Sequence, residues 1–204
     1  DPSVVARSAA GQPEFPSPSI FEPTSDTLYR NDGAGRFTDV SESAGMTSAR
    51  GRGLGVAILD LDGDELIDIY VANDLSENHA WINQGDGTFR DEAMRRRLAV
   101  NLHGQPEASM GIGVGDVDGN GTFDLVLTHL AQETNTLYRQ ATPGDWDDAT
   151  IGSGLGGPSV DVTGFGAVLA DFDLDGDVDL AAVNGRIRRA AMAERPTGPA
   201  HWHP

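Results

Sequence analysis

The sequence contains no cysteine, which excludes a disulfide scaffold and thiolate metal sites. Basic residues are few: 14 Lys and Arg stand against 32 Asp and Glu, giving a formal charge of −18. This balance argues against nucleic acid and anionic membrane surfaces, which favour basic proteins, and fits a cationic partner. No apolar run reaches the roughly 20 residues that cross a bilayer. No signal peptide opens the chain, so we expect Asp1 to begin a cytosolic protein or a processed form.

What the chain does contain is a repeated acidic nine-residue segment. It reads DLDGDELID from Asp60, DVDGNGTFD from Asp116 and DFDLDGDVD from Asp171. Oxygen-bearing side chains occupy positions 1, 3, 5 and 9 of each copy, and the copies start 56 and then 55 residues apart. A fixed period of this size indicates a repeat architecture.

The repeated unit extends beyond the acidic segment. Six residues before each first Asp stands an apolar residue followed by Gly, at Leu54, Met110 and Phe165. β-Rich runs follow each segment, and LYRNDGAGRF (28–37) matches AWINQGDGTF (80–89) as a hairpin with a Gly-rich turn. The third hairpin copy, LYRQATPGDW, is weaker. Aromatic residues at matching hairpin positions are expected in the core.

Each unit therefore predicts four short strands, as in a β-propeller blade. The fold class predicted is all-β: a propeller segment with two whole blades (54–94 and 110–151) flanked by two half blades (26–42 and 165–190). We expect three regions, namely an extended Pro-rich arm (1–24), the propeller repeats (25–190) and an irregular tail (191–204). A closed propeller needs at least about four blades, so this segment is too short to close alone.

The acidic segments require a cation. Unit charges a few ångströms apart repel by roughly 1–4 kcal/mol per pair at a surface-like dielectric. All the donors are hard oxygens, which favours Ca²⁺, or less well Mg²⁺ or Mn²⁺, over zinc or copper. A backbone carbonyl at position 7, from Leu66, Thr122 or Asp177, would complete a shell of six or seven oxygens.

Two other structures could account for the acidic segments, an EF-hand loop and a metal-free Asx turn. An EF-hand loop carries Glu at its twelfth position and helices on both sides, but Val71, Leu127 and Ala182 stand there and the flanks are strand-like. Metal-free Asx turns are the simpler alternative, but turn chemistry does not demand four oxygens at fixed positions.

The short acidic loop between strands, preceded by an apolar-Gly pair, resembles the FG-GAP/VCBS repeats of integrin-α-type propellers over about residues 26–190. Residues 28–45 and 109–127 look most like the ASPIC/UnbV (cartilage acidic protein-like) group. The resemblance implies an extracellular or periplasmic propeller with Ca²⁺, about three ions, in its loops. The ligands that it implies are Asp60, Asp62, Asp64 and Asp68; Asp116, Asp118, Asn120 and Asp124; and Asp171, Asp173, Asp175 and Asp179.

Two loop residues depart from the family pattern. Glu65 stands where Gly is usual, and a left-handed backbone would be strained there. Asn120 replaces a carboxylate and lowers the charge of the second loop.

The function we expect is that of a calcium-binding extracellular module with a structural, adhesion or protein/glycan-binding role. The alternative is a non-catalytic scaffold part of a polysaccharide-acting enzyme. No nucleophile motif or phosphate loop stands out, so we expect no enzymatic activity. The expected partner is a protein or polysaccharide, with no nucleic acid and no membrane insertion. Self-association through the incomplete blades is a further option.

Histidine and arginine residues are weaker candidates for functional sites than the acidic loops. His79, His103 and His129 are scattered and fit loops or strands better than catalysis. The pair at His201 and His203 belongs to the expected tail. The basic runs at 95–97 and 186–189 are expected to be solvated, with docking of an acidic partner as the sharper alternative.

Overall fold

The structure is a computed structural model that describes residues 6–7, 11, 13–14 and 17–185. The expected tail (191–204), its two histidines and the arginines of 186–189 lie outside the described residues. The chain divides into two units. Of the first unit (1–17 and 186–204), the structure describes one antiparallel strand pair; the second unit spans Pro18–Gly185 and holds all the repeats.

The described residues form short strands and a few single-turn helices. The strands are β1 (Ala6–Arg7), β2 (Pro13–Glu14), β3 (Tyr29–Asn31), β4 (Phe37–Asp39), β5 (Gly53–Leu59), β6 (Asp68–Asn73), β7 (His79–Asn83), β8 (Phe89–Asp91), β9 (Ile112–Gly115), β10 (Asp124–Leu127), β11 (Thr136–Thr142), β12 (Asp145–Asp148), β13 (Thr163–Ala170) and β14 (Asp179–Gly185). The helices are two 3₁₀ turns, Pro18–Ile20 and Met46–Ser48, followed by α1 (Thr150–Ser153) and α2 (Gly156–Ser159).

The sheets confirm the predicted all-β propeller segment. Within the second unit, β3 and β4 form a first half blade, β5–β8 form blade 1, β9–β12 form blade 2, and β13 and β14 form a second half blade. Every pairing is antiparallel between neighbours in the chain, as in a meander. The pair β1–β2 makes a separate two-stranded sheet that the Pro-rich composition did not predict.

Burial of strand β6 follows from its place inside the blade. Its neighbours β5 and β7 satisfy its backbone groups, and both of its faces are covered. Tyr70 and Ala72 belong to the main core, which also includes residues of blade 2, whereas Val71 packs with Met46 of the segment that follows the first half blade. A strand buried on both faces reads as a nearly continuous apolar run, as IDIYVAN does.

The repeated apolar-Gly pair lies where the first strands of neighbouring blades approach each other closely. A Cβ added at Gly55 would lie 2.4 Å from the backbone oxygen of Met110, and one at Gly111 would lie 2.6 Å from the Cα of Gly166. Any side chain at these positions would push adjacent inner strands apart. Glycine therefore recurs because the first strand of each blade runs against that of the next.

Two indole N–H groups connect one blade to the next. Trp146, on the outer strand of blade 2, is 1% exposed and donates its Nε1–H to the backbone oxygen of Leu61 in blade 1 at 2.8 Å. Trp81 donates its Nε1–H at 2.9 Å to Asp26 Oδ2, which lies 2.8 Å from His79 Nδ1. Of the hairpin aromatics predicted to be core, Trp81, Tyr138 and Trp146 are buried. Phe89 is partly buried, and Tyr29 and Phe37 of the first half blade are exposed.

The contact of Trp146 predicts a measurable contribution to stability. Trp146→Phe removes the donor to a buried carbonyl and leaves a small cavity, so we expect the free energy of unfolding to fall by about 2–4 kcal/mol. Ile151→Ala, at a side chain that is 82% exposed, is the control and should change stability by less than about 0.5 kcal/mol. Urea denaturation gives both values, and equal losses in the two variants would contradict the contact's role.

Candidate metal centres

Each acidic segment forms the loop between the first two strands of its blade or half blade. We name them loop 1 (60–68), loop 2 (116–124) and loop 3 (171–179). In each loop, carboxylate oxygens from positions 1, 3 and 9 lie within 4.8 Å of one another. The three groups are Asp60, Asp62 and Asp68; Asp116, Asp118 and Asp124; and Asp171, Asp173 and Asp179. The structure thus brings together three of the four predicted side-chain ligands in every loop.

The carboxylate at position 1 organises the loop around itself. Asp60 accepts hydrogen bonds from the backbone N–H groups of Gly63 at 2.7 Å and Glu65 at 2.9 Å. The first aspartates of loops 2 and 3 accept the matching bond from Gly121 and Gly176, at 2.8 and 3.0 Å. Burial, the largest contribution, raises the pKa of Asp60, but these backbone donors outweigh it and the pKa is lowered. The carboxylate therefore stays charged at neutral pH.

The carboxylate at position 9 connects the loop to the third strand. Asp68 is fully buried, and its Oδ2 accepts the N–H of Leu61 at 2.7 Å while Oδ1 accepts the N–H of Asn83, on β7, at 2.8 Å. Asp124 does the same in blade 2, with Val117 and Gln140 as donors at 2.8 Å each. Burial raises the pKa of Asp68 to about 6. One side chain thus fixes the loop, the second strand and the third strand together.

In the second half blade, position 9 of the loop is Asp179. It accepts the N–H of Phe172 at 3.0 Å, as its counterparts accept the residue after position 1. It is exposed, and in the described part of the chain no third strand lies beside it to donate to its other oxygen. Loop 3 therefore holds the same cluster with less surrounding structure.

The side chains at position 5 form turns within their own loops. Asp64, Asn120 and Asp175 each accept the N–H of the residue two further on, at 2.8, 2.8 and 3.0 Å. Asp64 and Asp175 are not members of the three carboxylate groups, and Asn120 offers an amide oxygen instead of a carboxylate. Their role as ligands, like that of the backbone carbonyls of Leu66, Thr122 and Asp177, stays a prediction.

Within the three loops, two residues other than glycine have a left-handed backbone, and the sequence predicted one of them. Glu65 has a φ of 69°, matching Gly121 at 88° and Gly176 at 100° at the same loop position. Leu174 has a φ of 65°, at the position that glycine fills in loops 1 and 2. A side chain with such a φ is strained, so loops 1 and 3 each carry a strained residue that loop 2 avoids.

An arginine that sequence reasoning treated as solvated enters loop 1. Arg96 Nη2 lies 3.0 Å from Asp62 Oδ2 and 2.9 Å from a Glu92 carboxylate oxygen, and its side chain is only 14% exposed. Arg95 and Arg97 of the same run are exposed as expected, although each also forms an ion pair. The single signal in the sequence was Glu92, four residues before Arg96. The guanidinium partly neutralises loop 1.

Asp62 carries an atom suited to a cation. Its Oδ1 is buried and has no hydrogen-bond partner in the described structure. Burial raises the pKa of Asp62, while Arg96 opposes the rise. A buried carboxylate oxygen without a donor is costly, and a cation in the loop would satisfy it. The donor set of the loops, made of carboxylates, fits a hard divalent ion.

Two of the three histidines within the repeats are buried and contact acidic side chains. His79 forms the buried contact with Asp26 described above. His129, 2% exposed, lies 3.1 Å from Thr136 Oγ1 and 3.6 Å from a Glu107 oxygen, and burial lowers its pKa to about 4. His103 is exposed. The prediction that these residues fit strands and loops agrees with their positions.

A polar cleft of about 400 Å³ lies among three connections: the one between β8 and β9, the one between β10 and β11, and the segment that follows β12. These connections are at the ends of the blade 2 strands opposite to loop 2. The acidic side chains in its wall are Glu107, Glu133 and Asp148, with Asn101 and Thr136 beside them. Burial raises the pKa of both Glu107 and Glu133. Sequence analysis did not identify this cleft, because its residues come from three separate connections.

At position 9, Asp68 is buried and Asp179 is exposed, so substitution by Ala is expected to lower the unfolding free energy by different amounts. Asp68→Ala leaves the N–H groups of Leu61 and Asn83 without their acceptor, so we expect a loss of about 2–5 kcal/mol in unfolding free energy, measured in chelator. Asp179→Ala removes a single exposed bond and should cost less than about 1 kcal/mol. Because both variants remove one carboxylate from a cluster, their difference reports the buried hydrogen bonds of Asp68, including the one to the third strand. Equal losses would contradict that link.

No helix in the described residues is long and apolar enough to cross a membrane. The profile of the FG-GAP-like repeat family matches residues 19–71 and 60–127, which together exceed half of the chain. Cartilage acidic protein 1 of Mus musculus and of Homo sapiens are each 27% identical over 168 residues, and that of Xenopus tropicalis is 26% identical over 176 residues. Each alignment covers 78% of this chain.

The chain spans about a quarter of the length of these curated relatives, 24–25% in each case. The family match covers the first half blade, blade 1 and the start of blade 2, including loops 1 and 2. Repeat, sheets and comparisons agree: this chain belongs to the FG-GAP-like repeat family.

Proposed function

We propose that this chain is a calcium-binding β-propeller module, extracellular or periplasmic, with a structural, adhesion or protein/glycan-binding role. The observation that carries the proposal is the meeting of three carboxylates within 4.8 Å in each of three successive loops. Family membership supports it, since the family match includes loops 1 and 2.

The ions in this proposal are structural. A Ca²⁺ in a loop would attract the carboxylates at positions 1, 3 and 9, whose mutual repulsion otherwise opposes the fold. Because position 9 also accepts a bond from the third strand, fixing it would fix three strands of the blade. The side chain at position 5 and the backbone carbonyl at position 7 are the further ligands that the proposal assigns.

The location follows from the affinity that such a site needs. Dissociation constants on the order of 10⁻⁴–10⁻³ M are typical of extracellular calcium modules, and such sites fill where calcium is plentiful. The recognition surface would be the connections at the other ends of the strands, which include the polar cleft. A protein or a polysaccharide is the partner class, and the proposal assigns no catalytic step.

Calcium is therefore expected to raise the melting temperature of the chain. At 10 mM Ca²⁺ and these affinities, each ion would add about 1.4–2.7 kcal/mol to the unfolding free energy. Scanning calorimetry with Ca²⁺, with Mg²⁺ and with chelator measures the shift, which should be largest for Ca²⁺. Each of Asp60→Asn, Asp116→Asn and Asp171→Asn should remove part of it.

Glu42→Gln is the matched control for charge. Glu42 is exposed and lies outside the three loops, so its variant loses one negative charge and should keep the full calcium shift. The proposal would be overturned by equal melting temperatures in calcium and chelator, or by loop variants that respond to calcium like the control.

The cleft favours a second function, as a non-catalytic scaffold part of a polysaccharide-acting enzyme. Its half-buried carboxyl groups are the kind of group that contacts sugar hydroxyls. The purified chain is expected to bind a member of a glycan panel without cleaving it, and Glu107→Gln should weaken that binding at least tenfold relative to Glu42→Gln. Cleavage that Glu107→Gln abolishes would instead show catalysis, and retained binding in that variant would remove the cleft from the account.

A further inference from the structure

Arg96 is a largely buried positive charge beside loop 1. Its side chain is 14% exposed, and its carboxylate partners Asp62 and Glu92 are 17% and 12% exposed. The other four arginines that form ion pairs in the described residues are 39–84% exposed. Breaking a buried ion pair leaves an uncompensated charge behind, so this contact holds its members in place more firmly than the exposed pairs do.

A tight turn fixes the position of Arg96. Its backbone N–H donates to the backbone oxygen of Glu92 at 3.0 Å. Two residues further on, the N–H of Leu98 donates to the backbone oxygen of Ala93 at 2.9 Å. Ala93 and Leu98 are 2% and 0% exposed and belong to the main core. The guanidinium is therefore placed beside loop 1 by a turn that the core anchors.

The backbone of loop 1 is fixed next to this contact. A Cβ added at Gly144, in the turn between β11 and β12, would lie 2.4 Å from the backbone oxygen of Asp62. Trp146 donates to the backbone oxygen of Leu61. Arg96, Gly144 and Trp146 line one small cavity. Blade 2 thus holds residues 61–62 while the Asp62 side chain meets Arg96.

The two carboxylate oxygens of Asp62 have different surroundings. Oδ2 accepts a hydrogen bond from Arg96, whereas Oδ1 is buried and has no hydrogen-bond partner in the described structure. Asp62 also contributes an oxygen to the carboxylate group of loop 1. One oxygen can therefore bind a cation while the other keeps its bond to Arg96. The ion and the guanidinium would then share one carboxylate and repel each other.

We propose that Arg96 is an internal counter-cation of loop 1, which stabilises the loop without calcium and weakens calcium binding there. Loop 1 then fills at a higher calcium concentration than its carboxylates alone would require. This inference rests on the calcium sites proposed above and adds a residue that sets the affinity of one of them. Loop 2 offers a contrast, because Arg139 Nε is 3.9 Å from Asp118 Oδ2 and both side chains are more than a third exposed, where water screens the pair.

The repulsion should depend on the charge of the ion. In a water-like dielectric, a unit charge a few ångströms from a divalent ion lowers its affinity about tenfold, and a drier site increases the factor. For a trivalent ion such as La³⁺ the repulsion is half as large again, which turns a tenfold loss into about thirtyfold. A purely structural role of Arg96 predicts no such dependence on charge.

Calorimetric titration of the full chain carrying Asp116→Asn and Asp171→Asn, which weaken loops 2 and 3, tests the proposal at loop 1. In this background Arg96→Gln should raise the affinity for Ca²⁺ by about tenfold or more and that for La³⁺ by about thirtyfold or more. Arg96→Lys keeps the charge and should stay within about threefold of its parent. The control Arg97→Gln removes an exposed charge from the same turn and should also stay within about threefold.

Glu92→Gln gives a test of opposite sign. Arg96 then keeps Asp62 as its one carboxylate partner in the described structure, so the calcium affinity of loop 1 should fall by about threefold or more. Glu42→Gln removes the same charge from an exposed side chain outside the loops and should leave the affinity unchanged. Glu92→Gln keeps the Arg96–Asp62 pair, so it decides the matter if Arg96→Gln does not fold in chelator.

Melting temperatures give an independent readout in the chain with all three loops intact. Arg96→Gln leaves Asp62 and Glu92 without their partner, so its melting temperature in chelator should fall, while the rise on adding calcium should exceed that of the wild type. Arg97→Gln should match the wild type in both conditions.

The outcomes separate this inference from the calcium proposal. An unchanged or lower calcium affinity in Arg96→Gln, an equal change for Ca²⁺ and La³⁺, or a gain in Glu92→Gln would overturn the role of Arg96 and leave the calcium sites in place. Absence of calcium binding in the wild type and in every variant would overturn the proposed function and this inference with it.

Discussion

Repulsion among clustered carboxylates is the constraint on which the rest of this structure depends. Each loop brings three of them within 4.8 Å, at the point where the first strand of a blade turns into the second. Backbone N–H groups hold Asp60 and Asp68 in place, but they offset the charge only in part. In loop 1 Arg96 adds a positive charge, and loop 3 has no arginine ion pair in the described structure. A cation in loop 1 or loop 2 would convert this unfavourable term into a link between three strands, and a cation in loop 3 would link two.

Packing between blades depends on a different feature, the close approach of their first strands. Gly55 and Gly111 permit it, and the indole of Trp146 bonds the outer strand of blade 2 to the loop of blade 1. Loop order and blade packing are therefore coupled, since Leu61 both accepts from Trp146 and donates to Asp68. The function proposed for the ions, stabilisation of the whole module, follows from this coupling.

Much of the fold was predictable because the same pattern of acidic, glycine and apolar residues occurs three times in the sequence. The acidic loops, the apolar-Gly pairs and the alternating strands gave the two whole and two half blades that the sheets confirm. The strain at Glu65 was also foreseen, since its two counterparts are glycine. The strain at Leu174 was missed, although Gly63 and Gly119 at the same position carried the signal.

Contacts between residues far apart in sequence could not be predicted in this way. The pairing of Arg96 with Asp62, and the acidic cleft around Glu107, each depend on how connections fold over the sheets. The turn of Asp64 toward Leu66 is a local event, but spacing alone does not distinguish a ligand from an Asx turn. Burial of His129 against Glu107 likewise required the packed structure.

The central claim is that divalent cations, bound by loop oxygens, hold the blades in register. Anomalous diffraction from crystals grown in millimolar Ca²⁺ tests it most directly. The account predicts one calcium peak in each of the three loops, about 2.3–2.6 Å from carboxylate oxygens of positions 1, 3 and 9. Well-ordered loops without such peaks, at a calcium concentration that leaves the protein folded, would contradict it.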